Sequence, residues 1–125
     1  MNNESVMYRQ VHPSFLQNGY PTTQAFRPTP KDQSLLSVYN GDMISAHQAW
    51  VHYTSILGCS SSGCMGLSIA ECQSVSLSVR PDPVPFPEHS VIDFSALSEN
   101  ECRRKSKILQ QFALARGWLY RSQPQ

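Results

Sequence analysis

Prolines at positions 13, 21, 28 and 30, with Gly19 among them, leave no stretch before residue 31 in which a long helix can form. A proline ring fixes φ, removes a backbone donor and clashes with the preceding helical turn. The first quarter of the chain must therefore be built from short pieces joined by turns. Residues 1–7 are polar and without periodicity, which predicts a frayed, disordered terminus. Between the breakers, residues 22–27 (TTQAFR) read as a short strand and residues 35–39 (LLSVY) as a second, with a loop over residues 27–34. Asn40-Gly41-Asp42 ends the second strand, because Asn and Gly tolerate turn conformations. A second proline cluster, Pro81, Pro83, Pro85 and Pro87, alternates through residues 80–88. Such a density favours extended polyproline-like backbone, so this segment is expected to be a stiff surface connector with Phe86 exposed between prolines.

The regular elements lie around these clusters. Ser45 is placed to cap a short helix over residues 46–55, in which Ala46, Ala49, Trp50 and Tyr53 repeat at the spacing of one buried face. Gly58 and the loop CSSSG (residues 59–63) release it. Residues 64–69 (CMGLSI) form an apolar run of strand length, residues 70–74 a helical turn or the start of a loop, and residues 76–80 and 89–94 two further strands. The last element carries the clearest signals. Ser98 and Glu101 match a capping box, Glu99 and Arg116 suit the helix dipole, and Gly117 sits at the expected stop. Cys102, Ile108, Leu109, Phe112, Ala113 and Ala115 gather in one arc, opposite Arg103, Arg104, Lys107 and Gln111. This predicts an amphipathic helix of about five turns. Trp118-Leu119-Tyr120 returns as a short strand or plugs the core. The expected class is α+β: a small mixed or antiparallel sheet with one short helix and one long C-terminal amphipathic helix. Residues 8–120 make a single domain and residues 121–125 a tail, with no internal repeat.

A chain of 125 residues is long enough to bury roughly two thirds of its unfolded surface without disulfide or metal staples. Ten Lys/Arg against nine Asp/Glu give a net charge of +1, which excludes a uniformly charged nucleic-acid binder. That total hides a division. Residues 1–98 hold four basic and seven acidic side chains, whereas residues 99–125 hold six and two. No apolar run reaches the roughly 18 residues needed to span a bilayer, so no membrane association is expected. The opening MNNESVMYRQ lacks the basic and apolar regions of a secretory signal, which predicts a cytoplasmic protein.

In that setting Cys59, Cys64, Cys72 and Cys102 read as free thiols. A zinc site built from Cys59, Cys64, Cys72 and His89 would need a second close pair of ligands, and none exists. No metal and no cofactor are expected. His47 and His52 are five apart on the short helix and do not share a face, which rules against a paired-histidine ligand set. His12 and His89 could act as general bases beside a nucleophile. The Ser-rich loop lacks the lysine of a P-loop, and no G-x-S-x-G elbow is present.

Two constellations carry possible chemistry. Arg103, Arg104 and Lys107 form a basic stripe on the outward arc of the last helix, while Lys105 points toward the apolar arc and must snorkel. No aromatic side chain shares the stripe, so an acidic protein surface fits it as well as a phosphate backbone does. His12, Arg27, Ser37, Tyr39 and Glu71 fall near the ends of successive predicted strands. In residue type and order they resemble ADP-ribosyl transfer enzymes. That resemblance implies His12 or Arg27 holding a dinucleotide, Ser37 or Tyr39 beside it, and Glu71 on the ribose.

The segments HPSFLQNGYPTTQAFRPTPKDQSLLSVY, AECQSVSLSVRPDPVPFPEHSVIDF and ARGWLY are similar to a group of small bacterial proteins. The similarity implies a complete small protein and brings no activity, cofactor or partner with it. The expectation is therefore a non-enzymatic accessory or partner-binding protein of a bacterial system, which contacts an acidic protein surface through Arg103, Arg104, Lys107 and Phe86. The alternatives are an enzyme acting on a nucleotide-like substrate, and nucleic-acid binding by the basic helix.

Overall fold

The computed structural model describes residues 1–29 and 34–122. Among these the chain forms β1 (Val6–Gln10), β2 (Leu16–Gln17), β3 (Tyr20–Pro21), β4 (Leu35–Asn40), α1 (Ala46–Val51), β5 (Gly63–Ser68), α2 (Ile69–Ser74), β6 (Ser78–Pro81), β7 (His89–Asp93), α3 (Glu99–Arg116) and β8 (Tyr120–Arg121). Six strands make one antiparallel sheet in the order β6-β7-β4-β1-β5-β8, and β2 pairs with β3 as a small separate ribbon. This is an α+β fold whose sheet is wholly antiparallel among the described residues. Among the described residues no helix is long and apolar enough to cross a membrane.

Strand alternation divides the core between the two faces of the sheet. Met7, Leu36, Val38, Met65, Leu67 and Ile92 join a main cluster with Phe26, Phe94, Leu77, Leu109 and Ala113, under α2 and α3. The alternate residues Tyr39, Cys64 and Val91 are also buried. Their face is covered by α1, where the Cys64 thiol donates to the Ala46 carbonyl at 3.5 Å. Every residue of β5 is buried, as a strand covered on both faces requires.

Several elements follow the local signals. The Ser45 hydroxyl accepts from the Gln48 amide to cap α1. The Ser98/Glu101 box opens α3, and Gly117 closes it at φ 85° with its amide on the Ala113 carbonyl. Beyond Val51 the short helix widens into a π-turn over His52–Ile56, with the Leu57 amide on the His52 carbonyl. On α3, Leu109 and Ala113 are fully buried, with Cys102 and Phe112 packed against the same cluster. Ala115, expected in the arc, is exposed, while Lys105 and Ser106 are buried in its stead.

Four expectations are corrected. Residues 22–27 are not a strand, because Thr23–Phe26 forms a 3-10 turn. Ala25 and Phe26 are both 0% exposed, and a strand would send consecutive side chains to opposite faces. Residues 1–7 are not all frayed, since β1 begins at Val6 and Met7 lies in the core. The strand is secured by pairing with β4 on one side and β5 on the other. Residues 80–88 are not an extended spacer. Arg80 and Pro81 belong to edge strand β6, and residues 82–88 turn back into β7, with the His89 amide on the Phe86 carbonyl at 3.1 Å. Phe86 is not exposed; its ring packs against Tyr39, His52 and His89. Of the expected loop over residues 27–34, residues 30–33 lie outside the described residues, as do residues 123–125 of the expected tail. Within that tail Arg121 pairs with Gly63 in the sheet.

Candidate functional site

The first turns of α3 face the 3-10 turn across the end of β1 and β4, and a groove of about 680 Å³ opens between them. Three arginines from three separate elements line it: Arg9 of β1, Arg27 after the 3-10 turn and Arg103 of α3. Each is held differently. Arg9 donates from Nε to the Ala25 carbonyl at 2.7 Å and from Nη1 to the Ser37 carbonyl at 2.9 Å. It therefore clamps the 3-10 turn onto β4 and is fixed in place by doing so. Arg103 Nη2 donates to Glu99 Oε1 at 2.7 Å, one helical turn back. The Arg27 amide donates to the Gln24 carbonyl at 3.4 Å, but its guanidinium makes no hydrogen bond or ion pair among the described residues, although the residue is half-buried. Phe15, Pro28 and Leu97 supply an apolar wall. The Cys102 thiol lines the same groove. Burial pushes its pKa up, Glu101 adds to the rise, and the nearby Arg27 charge opposes it only in part.

Arg103 joins this groove to the outer stripe of α3. Arg104 and Lys107 are exposed there, and neither is ion-paired among the described residues. The stripe thus continues the positive lining of the groove onto open surface.

The five residues of the ADP-ribosyl transfer pattern are dispersed. His12 is exposed and caps the 3-10 turn Pro13–Phe15, with its Nδ1 accepting from the Ser14 amide at 3.0 Å. Arg27 lines the groove, whereas the exposed Ser37 contributes only its carbonyl to Arg9. Tyr39 is 3% exposed beneath the π-turn. Glu71 stands in a capping box with Ser68 and pairs with Arg116 at 2.7 Å. Burial raises the Glu71 pKa, but hydrogen bonds from Arg116 and from the Ser68 amide and hydroxyl outweigh it and hold the carboxyl below its ordinary range. No hydrogen bond or ring contact joins any two of these five side chains among the described residues.

A second cluster had no local signal. Tyr39 on β4 and His89 on β7 are register partners, and Phe86 lies against both, with ring centroids 5.0 and 5.2 Å away. The Tyr39 hydroxyl shares a 2.7 Å hydrogen bond with His52 Nδ1 on the π-turn. His89 Nδ1 lies 2.8 Å from the Asp82 carbonyl and 3.5 Å from its carboxylate. Burial pushes the Tyr39 hydroxyl well above its usual range, so it stays protonated. The cluster closes the proline loop onto the sheet, and only strand pairing brings its members together.

The cysteines are all free: Cys59 is exposed, Cys64 and Cys72 are buried, and Cys102 is intermediate. Burial pushes the Cys64 and Cys72 thiols up to about 12. Among the described residues no group of three or more His, Cys, Asp or Glu side chains is placed to hold a metal ion. No protein-family model matches the chain, and no curated protein or solved structure is significantly similar to it.

Proposed function

We propose that the chain is a partner-binding protein that docks an acidic protein surface on the first half of α3. The observation that carries this reading is the exposed pair Arg104 and Lys107, which has no acidic side chain of the chain's own on it among the described residues. A solvated helix face normally intersperses both signs, whereas here Glu99 is taken by Arg103, and Arg104 and Lys107 are left to solvent. Exposed charges of this kind steer and orient a partner more than they tighten it. Phe86 has no part in the contact, because its ring is engaged beneath the proline loop. Four free cysteines, two of them deeply buried, support a reducing, cytoplasmic setting.

The test is a salt series of wild type against the variant Arg104→Glu/Lys107→Glu, with immobilised polyglutamate as the acidic probe and duplex DNA beside it. Retention of wild type on polyglutamate at low salt, lost in the variant, supports the reading. Equal retention of both proteins removes α3 from the account. Retention on DNA alone transfers the stripe to nucleic-acid binding.

A further inference from the structure

The groove behind the stripe is a different kind of site, and its lining describes the ligand. Arg27 is the central observation. Its guanidinium lines a recess of about 680 Å³ with no partner among the described residues. The only described acidic side chain in that lining, Glu99, is engaged by Arg103 at 2.7 Å. A guanidinium with no described counter-charge keeps its full set of donors available to an anion from outside. Arg9 stands beside Arg27 in the lining, and two backbone carbonyls fix its position before any ligand binds, which lowers the ordering cost of binding.

The rest of the lining excludes a bare ion as the whole ligand. Phe15, Pro28 and Leu97 form an apolar wall, and the Gln24 amide and Ser34 hydroxyl add neutral hydrogen-bonding groups. The volume falls within the range of pockets that enclose a cofactor-sized molecule. A tetrahedral phosphate offers several acceptor oxygens to an arginine fork and a neighbouring hydroxyl. A flat ring attached to it would lie against Phe15.

We infer that the groove between the 3-10 turn and α3 binds an organic phosphate of nucleotide size, with the phosphate on Arg27 and a planar group against Phe15. The site can be tested apart from the exposed pair Arg104 and Lys107, which do not line it, although Arg103 belongs to both groove and stripe.

Isothermal titration with adenosine 5′-monophosphate, adenosine and inorganic phosphate as separate probes tests this on the full chain. The monophosphate should bind at one site, with adenosine and inorganic phosphate each about tenfold weaker or worse. Arg27→Ala should weaken the monophosphate by about tenfold or more, the loss expected for a charge-assisted contact. Arg27→Lys should recover only part of it, because an ammonium cannot form the bidentate fork. Phe15→Leu should lower affinity for the monophosphate and leave inorganic phosphate unchanged. Thermal melts confirm that each variant folds, and Arg27→Ala removes no side-chain hydrogen bond among the described residues. Arg104→Glu/Lys107→Glu should keep the binding, which separates failure here from failure of the partner-binding reading. The inference is overturned if no monophosphate heat appears at millimolar concentration, if Arg27→Ala binds as wild type does, or if inorganic phosphate binds as tightly as the nucleotide.

Discussion

The same four-residue pattern, Ser-x-x-Glu, opens both α2 and α3, and the molecule uses it differently in the two places. At α3 the Glu101 carboxylate reaches back to the Ser98 amide at 3.4 Å and to its hydroxyl at 3.2 Å, and the box stays exposed. At α2 the Glu71 carboxylate accepts from the Ser68 amide at 2.8 Å and from Arg116 Nη1 at 2.7 Å. The same Arg116 nitrogen also donates to the Gly66 carbonyl at 2.8 Å. Glu71 thus ties the start of α2 to the end of α3 and to β5. The reason lies in helix length. The 18 residues of α3 can propagate from one nucleus, whereas the six of α2 are far too few to be stable alone. A short helix needs its cap fastened from outside, and a long one needs the cap only to start in register.

The largest expected effect follows from that difference. Glu71→Ala removes a cap and a partly buried ion pair together and leaves Arg116 without its acid. A loss of about 2–3 kcal/mol is expected in urea denaturation. Equal losses for Glu71→Ala and Glu101→Ala would erase the distinction. The two sites should also differ in acid. The folded Glu71 carboxyl titrates below its unfolded value of about 4.3, so its contribution is complete above that value and disappears as pH falls through the folded one. Stability of the wild type should therefore fall faster than that of Glu71→Gln on acidification below about pH 5. Parallel curves would show that the ionised form is not favoured in the native state.

Next in size is the backbone on which Arg116 rests. A side chain on Gly66 would place Cβ 2.5 Å from Leu119 Cδ1 and 2.8 Å from Val6 Cγ1, with Arg116 Cδ at 3.3 Å. Gly66→Ala should cost about 1–2 kcal/mol through overpacking. It should also reduce the additional loss caused by Glu71→Ala, since the arginine arm is displaced. Strict additivity of the two substitutions would mean that Arg116 and Glu71 do not act as a unit.

The two boxes also mark where local reading of the chain succeeds. α3 was legible because its cap, dipole charges, apolar arc and terminal glycine all lie within one run of sequence. The Ser68/Glu71 box was not, because its serine ends an apolar run that reads as strand, and Glu71 then stood out as an isolated acid. Met7 could not be recognised as core from a polar terminus, since two neighbouring strands decide its burial. Ala25 and Phe26 read as strand because a 3-10 turn has no periodicity to show over four residues. The groove was partly visible. Arg27 and Arg103 were both candidates, but for unrelated roles, and nothing in a linear spacing of that length announces that they line one recess. Phe86 is illegible for the converse reason: alternating prolines describe a stiff backbone without saying whether it folds back.

The smallest effect is at Glu101, and it separates hydrogen bonding from charge. At 3.4 Å its contact with the Ser98 amide is at the edge of hydrogen-bond range. Beside the 3.2 Å contact with the Ser98 hydroxyl, which Gln can keep, its main contribution is a negative charge in the first turn of a helix, worth about 0.3–1 kcal/mol at low salt. Glu101→Gln keeps the shape and the acceptor but removes that charge. The expected loss is about 0.5 kcal/mol at low ionic strength. It should shrink in 1 M salt, where the screening length falls to about 3 Å. At Glu71 the same substitution should retain most of its cost in salt, because its partner arginine is in direct contact and both side chains are largely shielded from solvent. A salt-insensitive loss at Glu101, or a salt-sensitive one at Glu71, would reverse the assignment of the solvated cap and the fastened one.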